Sequence, residues 1–248
     1  MEKAESGAAI TFKDVTKRFP NGADGTLVTA VDSVSFSVAQ GSLAVLGGAN
    51  GSGKSVLMLM AAGLISPTTG SVHTKSRPGL VFQDAATQLL GATPREDVAV
   101  GPRNQGVPKA EVAQLVERAL SAVSLLHKAD YPAEFLSGGE KRRLAVASIL
   151  AMQRDIIIFD EPYANLDYPG VLDVNRLVSE LHAQKKTVLL LTHELEKCLG
   201  LADHFVVLVH GRLVFNGNPE DALSRDISSW GIRNPLSRYE RLSDLVWR

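Results

Sequence analysis

The sequence predicts an α/β protein: a mostly parallel sheet flanked by helices, an antiparallel β-subdomain at the N-terminus, and a helical subdomain inserted between the two halves. Short apolar runs alternate with helical patterns over the C-terminal half, as expected where helices cover parallel strands. Two β-rich stretches separated by turn residues open the chain. The middle carries amphipathic helical periodicity. With 248 residues, 45% of them hydrophobic, the chain can bury a sizeable core. It reads as one domain, with a core over 1–87 and 151–216, a helical subdomain over 88–150 and a C-terminal helical extension over 217–248.

Each element has its own signal. Ile10 to Val15 and Leu27 to Val38 are strand-like, with turns at Pro20-Asn21-Gly22 and Asp24-Gly25. The apolar run Ser42 to Leu46 ends at Gly47-Gly48 and is followed by helical composition from Lys54 to Gly63, giving strand, glycine loop and helix in succession. Between Pro108 and Lys128, Val112, Leu115, Val116, Ala119, Leu120, Val123 and Leu126 recur at helical spacing. Ser137-Gly138-Gly139-Glu140 has the S-x-x-E form of a capping box and starts the next helix. A strand at Ile156 to Phe159, a helix at Val171 to Gln184, a strand at Thr187 to Thr192, a short helix from Glu194 and a strand at Phe205 to Val209 follow. Gly211 turns a hairpin into Arg212 to Phe215, and Trp230 and Trp247 are docking points of the C-terminal extension.

Composition removes several classes of function. Lys and Arg number 26 against 27 Asp and Glu, a net charge of −1, so no general basic field draws nucleic acid and none is expected as a partner. The one cysteine, Cys198, rules out an internal disulfide or a Cys-rich metal site and fits a reducing compartment. No basic segment followed by an apolar stretch opens the chain, so no signal peptide is read there. The longest apolar stretches, such as Leu144 to Met152, fall short of the roughly 20 residues a bilayer span needs. A cytoplasmic location is expected, compatible with docking onto a membrane protein.

Three segments carry chemistry. Gly48-Ala49-Asn50-Gly51-Ser52-Gly53-Lys54-Ser55 fits G-x-x-x-x-G-K-[ST]. Its glycines let backbone N–H groups turn around phosphate oxygens at a helix start, with Lys54 reaching the β- and γ-phosphates and Ser55 ligating Mg²⁺. Ile156 to Phe159 runs into Asp160-Glu161, two carboxylates at the end of a buried strand, where α/β sheets bind ligands. Asp160 is placed to hold Mg²⁺ and Glu161 to polarise an attacking water, although a solvated strand end gives the same pattern. Leu136 to Lys141 offers a helix start with a free hydroxyl and two side-chain-free amides, a second anion site in a chain that already has one. Two such sites in one chain imply two chains. Lys141, Arg142 and Arg143 set positive charge against the helix dipole there, which marks an anion or partner site or else a solvated basic face.

Taken in order, these motifs resemble those of ATP-binding cassette (ABC) ATPases over nearly the whole chain. The resemblance rests on Gly48 to Ser55, Gln83 after Leu80-Val81-Phe82, Leu136 to Glu140, Asp160-Glu161, Ala164-Asn165-Leu166-Asp167, and His193 after Thr187 to Thr192. It implies a RecA-like core and an ATPase with ATP and Mg²⁺ as cofactors. It also implies that Gln83 contacts Mg²⁺ and the attacking water and senses the membrane partner, that His193 contacts the γ-phosphate, and that Asp167 crosses a dimer interface. Phe19 sits where the family carries an aromatic that stacks on adenine, and a core Phe at a strand end is the other reading.

Within the family the chain resembles the ATPase subunits of energy-coupling factor (ECF) transporters, importers of vitamins and transition-metal ions. Gln83 with Gln88, Thr93 to Pro102 and Trp230 to Pro235 carry that likeness. Implied partners are a second ABC ATPase chain, identical or paralogous, a transmembrane coupling subunit and a membrane substrate-binding subunit, with the chain peripheral on the inner face of the cell membrane. The alternatives are a non-transport ABC ATPase or another P-loop NTPase or kinase. The latter leaves Leu136 to Glu140 and His193 unexplained.

Overall fold

The computed structural model of the chain describes residues 7–22 and 25–237. Asp24 of the second expected turn, Trp247 and the end of the C-terminal extension lie outside the described residues. The strands are β1 (Ala8–Pro20), β2 (Leu27–Ala39), β3 (Leu43–Gly47), β4 (Thr69–Thr74), β5 (Gly79–Val81), β6 (Ile156–Asp160), β7 (Thr187–Thr192), β8 (His204–Val209) and β9 (Arg212–Gly217). The α-helices are α1 (Lys54–Ala61), α2 (Pro94–Asn104), α3 (Lys109–Ala122), α4 (Gly138–Ala151), α5 (Tyr168–Ala183) and α6 (Pro219–Leu223).

Two sheets form. One is antiparallel, in the order β2-β1-β4; the other runs β5-β6-β7-β3-β8-β9 and is parallel except for its final hairpin. The fold class read from the sequence is the one observed. The physical reason lies in the period-two split of the central strands. Leu43, Val45, Ile157, Phe159, Val188, Leu190, Phe205 and Val207 enter a core shared with α2 to α5. Ala44, Leu46, Ile156, Ile158, Leu189, Leu191, Val206 and Leu208 enter a second core with α1 and the antiparallel sheet. Both faces of the parallel sheet are therefore buried, which is why these strands read as continuous apolar runs.

Several details depart from the sequence reading. β4 and α2 were not foreseen, and the short helix from Glu194 is instead two 3₁₀ turns, Leu195–Lys197 and Leu199–Leu201. The chain there is tied to the base of β3, since the Asp203 carboxylate accepts from Leu43 N at 2.9 Å and Asp203 N donates to Leu43 O at 2.9 Å. Trp230 docks as expected, stacked on Phe215 at 5.6 Å between ring centroids. Cys198 is buried and its thiol pKa is pushed up to about 12 by that burial, so it is an inert packing residue.

Candidate functional site

The glycine loop is held by its own backbone geometry. Gly48 has φ 141°, and a Cβ there would meet Leu208 O at 2.3 Å; Gly53 has φ 103°, and a Cβ there would meet Ala30 O at 2.6 Å. No other residue fits at either position, so the loop is clamped between β8 and β2. Gly211 N donates to Ser52 O at 3.0 Å and fixes the loop from the β8–β9 turn. α1 begins at Gly53 without any side-chain cap, leaving its first N–H groups for an external anion. The Ser52 hydroxyl is buried with no hydrogen-bond partner among the described residues, another donor in the same cradle. Lys54 is 5% exposed, and its Nζ donates to Gly48 O at 2.7 Å and Ala49 O at 3.2 Å.

β6 delivers the carboxylates to the same place. Ser55 Oγ donates to Asp160 Oδ1 at 3.2 Å. Burial raises the Asp160 pKa above the ordinary carboxyl value, the Ser55 hydrogen bond opposes it, and the neighbouring Glu161 charge adds to it. Glu161 is buried and left-handed, with φ 45°. That strain is of order 1 kcal/mol or more for a non-glycine residue, and it is held by Glu161 N donating to Leu191 O at 2.8 Å. The carboxylate sits between two groups. His193 Nδ1 lies 3.0 Å from Oε2, and Lys54 Nζ lies 3.4 Å from Oε1. Glu161 thus bridges a lysine on the loop and a histidine after β7, a grouping able to handle a water or a phosphate oxygen.

The start of α4 is a complete capping box. Glu140 N donates to Ser137 Oγ at 3.2 Å, and Ser137 N donates to Glu140 Oε2 at 2.9 Å. The hydroxyl expected to be free is therefore half committed: its oxygen accepts the cap bond, and only its proton is left to give. Lys128 bonds the other Glu140 oxygen, and that contact, followed by the Ser137 amide, holds the Glu140 carboxyl below the usual range. Ser137 and Gly138 remain exposed, and a Cβ on Gly138 would meet nothing within 4 Å. The basic triplet is not a solvated face. Arg143 pairs with Asp173 at 2.9 Å, and Arg142 is buried beneath the Gln83 segment.

The remaining predicted residues stand around these centres. Gln83 is exposed just beyond β5, whereas Gln88 turns inward, Nε2 donating to Leu80 O at 2.7 Å and Oε1 accepting from Phe82 N at 3.2 Å. Asp167 caps α5, its Oδ1 accepting from Gly170 N at 3.0 Å. Phe19 is 37% exposed at the end of β1 with Lys17 Nζ 5.0 Å from its ring centroid, so it is not a core residue. The structure brings together Ser55 with Asp160, and Lys54 with Glu161 and His193. No hydrogen bond or ion pair among the described residues joins Phe19, Asp167 or the Ser137–Glu140 cap to that group. Sequence reasoning missed the inward role of Arg142. Its signal was spacing: Arg142 shares a helical stripe with the buried Val146 and Ile149.

Comparison with known proteins gives this architecture its family. The model of the ABC transporter family matches residues 31–164. The chain is 36% identical to the energy-coupling factor transporter ATP-binding protein EcfA of Methanocaldococcus jannaschii, covering 96% of this chain and 88% of that one. It is 39% identical to the cobalt import ATP-binding protein CbiO of Rhodobacter capsulatus, covering 92% and 85%. Among solved structures it superposes with a TM-score of 0.79 on CbiO1 from Clostridium perfringens, part of the ABC transporter complex CbiONQ, at 28% identity and with 89% and 92% of the two chains covered. The chain belongs to the ABC transporter family and is one of its ATP-binding cassettes. It is an ATPase, with ATP and Mg²⁺ as its cofactors. The donor set fits them: uncapped helix N–H groups and a buried unpartnered hydroxyl face a phosphate site, and Ser55 and Asp160 present the oxygen ligands Mg²⁺ prefers. Among the described residues no helix is long and apolar enough to cross a membrane.

Proposed function

We propose that this chain powers an ECF-type importer of a vitamin or a transition-metal ion through a separate transmembrane coupling subunit and a membrane substrate-binding subunit. Two chains, identical or paralogous, clamp two ATP molecules head to tail. The observation that carries this reading is the separation of two anion sites in one chain. The loop over 48–55 and the cap over 137–140 share no hydrogen bond or ion pair among the described residues. A nucleotide between two copies uses both.

In this reading Gly48, Ala49, Asn50, Gly51, Ser52 and Gly53 wrap the phosphates, and Lys54 leaves the Gly48 and Ala49 carbonyls for the β- and γ-phosphates. Phe19 stacks on adenine. Ser55, Asp160 and Gln83 hold Mg²⁺, which neutralises phosphate charge when bound. Glu161 accepts the proton of the attacking water, with its carboxylate aimed by His193 Nδ1, while His193 also contacts the γ-phosphate and Gln83 orients the water. Ser137 gives its hydroxyl proton, and Gly138 and Gly139 their amides, to the partner's nucleotide; Glu140 holds that cap in shape, and Asp167 crosses the interface. The core over 1–87 and 151–216, the helical subdomain over 88–150 and the extension over 217–248 form one working unit, peripheral on the inner face of the membrane.

Relatives named for ECF and cobalt import, at 36% and 39% identity over most of the chain, support the transport assignment. Affinity purification in mild detergent tests it. Integral membrane proteins copurifying in fixed ratio are the expected result; a dimer that carries none contradicts it.

A further inference from the structure

The hydrolytic cluster does not use Arg142, yet this residue bonds two of the motifs around it. It is 7% exposed on α4, and its Nη2 reaches two carbonyls, Gln83 O at 3.2 Å and Ala164 O at 3.4 Å. Nε and Nη1 are buried with no hydrogen-bond partner among the described residues. No carboxylate among the described residues pairs with it, and burial lowers its pKa from the ordinary guanidinium value, although an arginine stays charged. Ala164 is bound in turn to the strained residue, its N donating to Glu161 O at 3.2 Å. With Lys141, Gly138 and Leu166, these groups line a cleft of ≈ 440 Å³.

We propose that Arg142 is a positioning residue, a strap that ties the backbones at Gln83 and Ala164 to the signature helix and so sets Gln83 and Glu161 in register for hydrolysis. The planar fork suits this task. A lysine ammonium can meet two carbonyls, as Lys54 does at Gly48 and Ala49, but it lacks the further in-plane donors that the guanidinium holds at Nε and Nη1. Buried donors without acceptors are unfavourable, so any narrowing of the cleft that brings carbonyl oxygens to Nε and Nη1 is favoured over the present spacing. Arg142 thereby biases α4 towards the 164–166 turn, a small shift of packed elements. The proposal rests on the reading of Glu161 as the general base.

Arg142→Met and Arg142→Lys, made in the full chain, test it through steady-state ATP hydrolysis, nucleotide affinity and thermal unfolding. Met fills the stem volume and removes the buried donors that lack acceptors, so the unfolding midpoint holds or rises. ATP affinity stays within about threefold, while kcat falls about ten- to a hundredfold, the cost of misplacing reacting groups by an ångström or so. Arg142→Lys recovers only part of the rate. An unchanged kcat in Arg142→Met overturns the strap, as does an equal loss of kcat and affinity with a lowered midpoint, which marks a merely structural residue. An inactive Glu161→Gln beside a fully active Arg142→Met removes the strap alone. A Glu161→Gln chain that turns over normally removes the general-base reading instead.

Discussion

Two helix starts in this chain look alike in sequence and differ in how their orphan amides are met. α1 opens after Gly53 with no side-chain cap, and the loop before it is shaped by left-handed glycines packed on backbone carbonyls. α4 opens with a reciprocal Ser137–Glu140 box, reinforced by Lys128. The first start is built to be completed by a ligand; the second is complete within the chain and has one hydroxyl proton and an open glycine surface to offer outward. In the proposed reading, a nucleotide has a primary site at the loop over 48–55 and a secondary one at the α4 start, the latter serving another molecule.

Substitutions break this contrast in graded ways. Glu161→Gln has the largest expected effect: losing the proposed general base should lower turnover by about 10² to 10⁴ while ATP still binds, checked by phosphate release and nucleotide-dependent dimer formation. Gly48→Ala comes next. A Cβ 2.3 Å from Leu208 O at φ 141° forces the loop open, with a destabilisation of about 1–3 kcal/mol and weakened nucleotide binding, read by thermal unfolding with and without ATP. Ser137→Ala removes the α4 cap for about 1 kcal/mol and lowers hydrolysis without changing nucleotide affinity in the isolated chain. The smallest effect concerns pH. Because its bond to Lys128 lowers the Glu140 pKa on folding, its contribution is present above the unfolded value and disappears as pH falls through the depressed one. Lys128→Met, which removes the principal cause, should cost a few tenths of a kcal/mol near neutrality for this partly exposed pair, and nothing in strong acid; a constant difference across pH refutes that cause.

The same contrast explains what could be read in the sequence. The loop over 48–55 was legible because its backbone angles demand glycine, and the α4 start because its cap needs Ser and Glu three residues apart. The order of buried strands was legible because a sheet covered on both faces leaves unbroken apolar runs. β4 was not, because Thr69–Thr74 is a mostly exposed edge strand made by pairing with β1. α2 was hidden by Gly101 and Pro102 in its last turn, and tertiary bonds supply what propensity lacks: Asp97 accepts from Leu90 N at 2.6 Å, Gly91 N at 3.0 Å and Ser148 Oγ at 2.8 Å. Gln88, one of the residues that carry the family likeness, clamps the end of β5, a role that only the tertiary structure reveals. The strain at Glu161 is a long-range outcome that no local pattern announces, whereas the burial of Arg142 was signalled only by its helical spacing from Val146 and Ile149.

The shared site itself is tested most directly by mixing two crippled chains. Lys54→Ala disables the loop, and Gly138→Asp places a negative charge at the α4 start, where a side chain meets no neighbour within 4 Å and folding is spared. Each alone should be inactive. Mixed in equal amounts, half of the dimers combine the two variants and regain one intact site, so about a quarter of the wild-type rate should return. A mixture as inactive as its components, or a Gly138→Asp chain that hydrolyses ATP at the wild-type rate alone, contradicts a site divided between two chains.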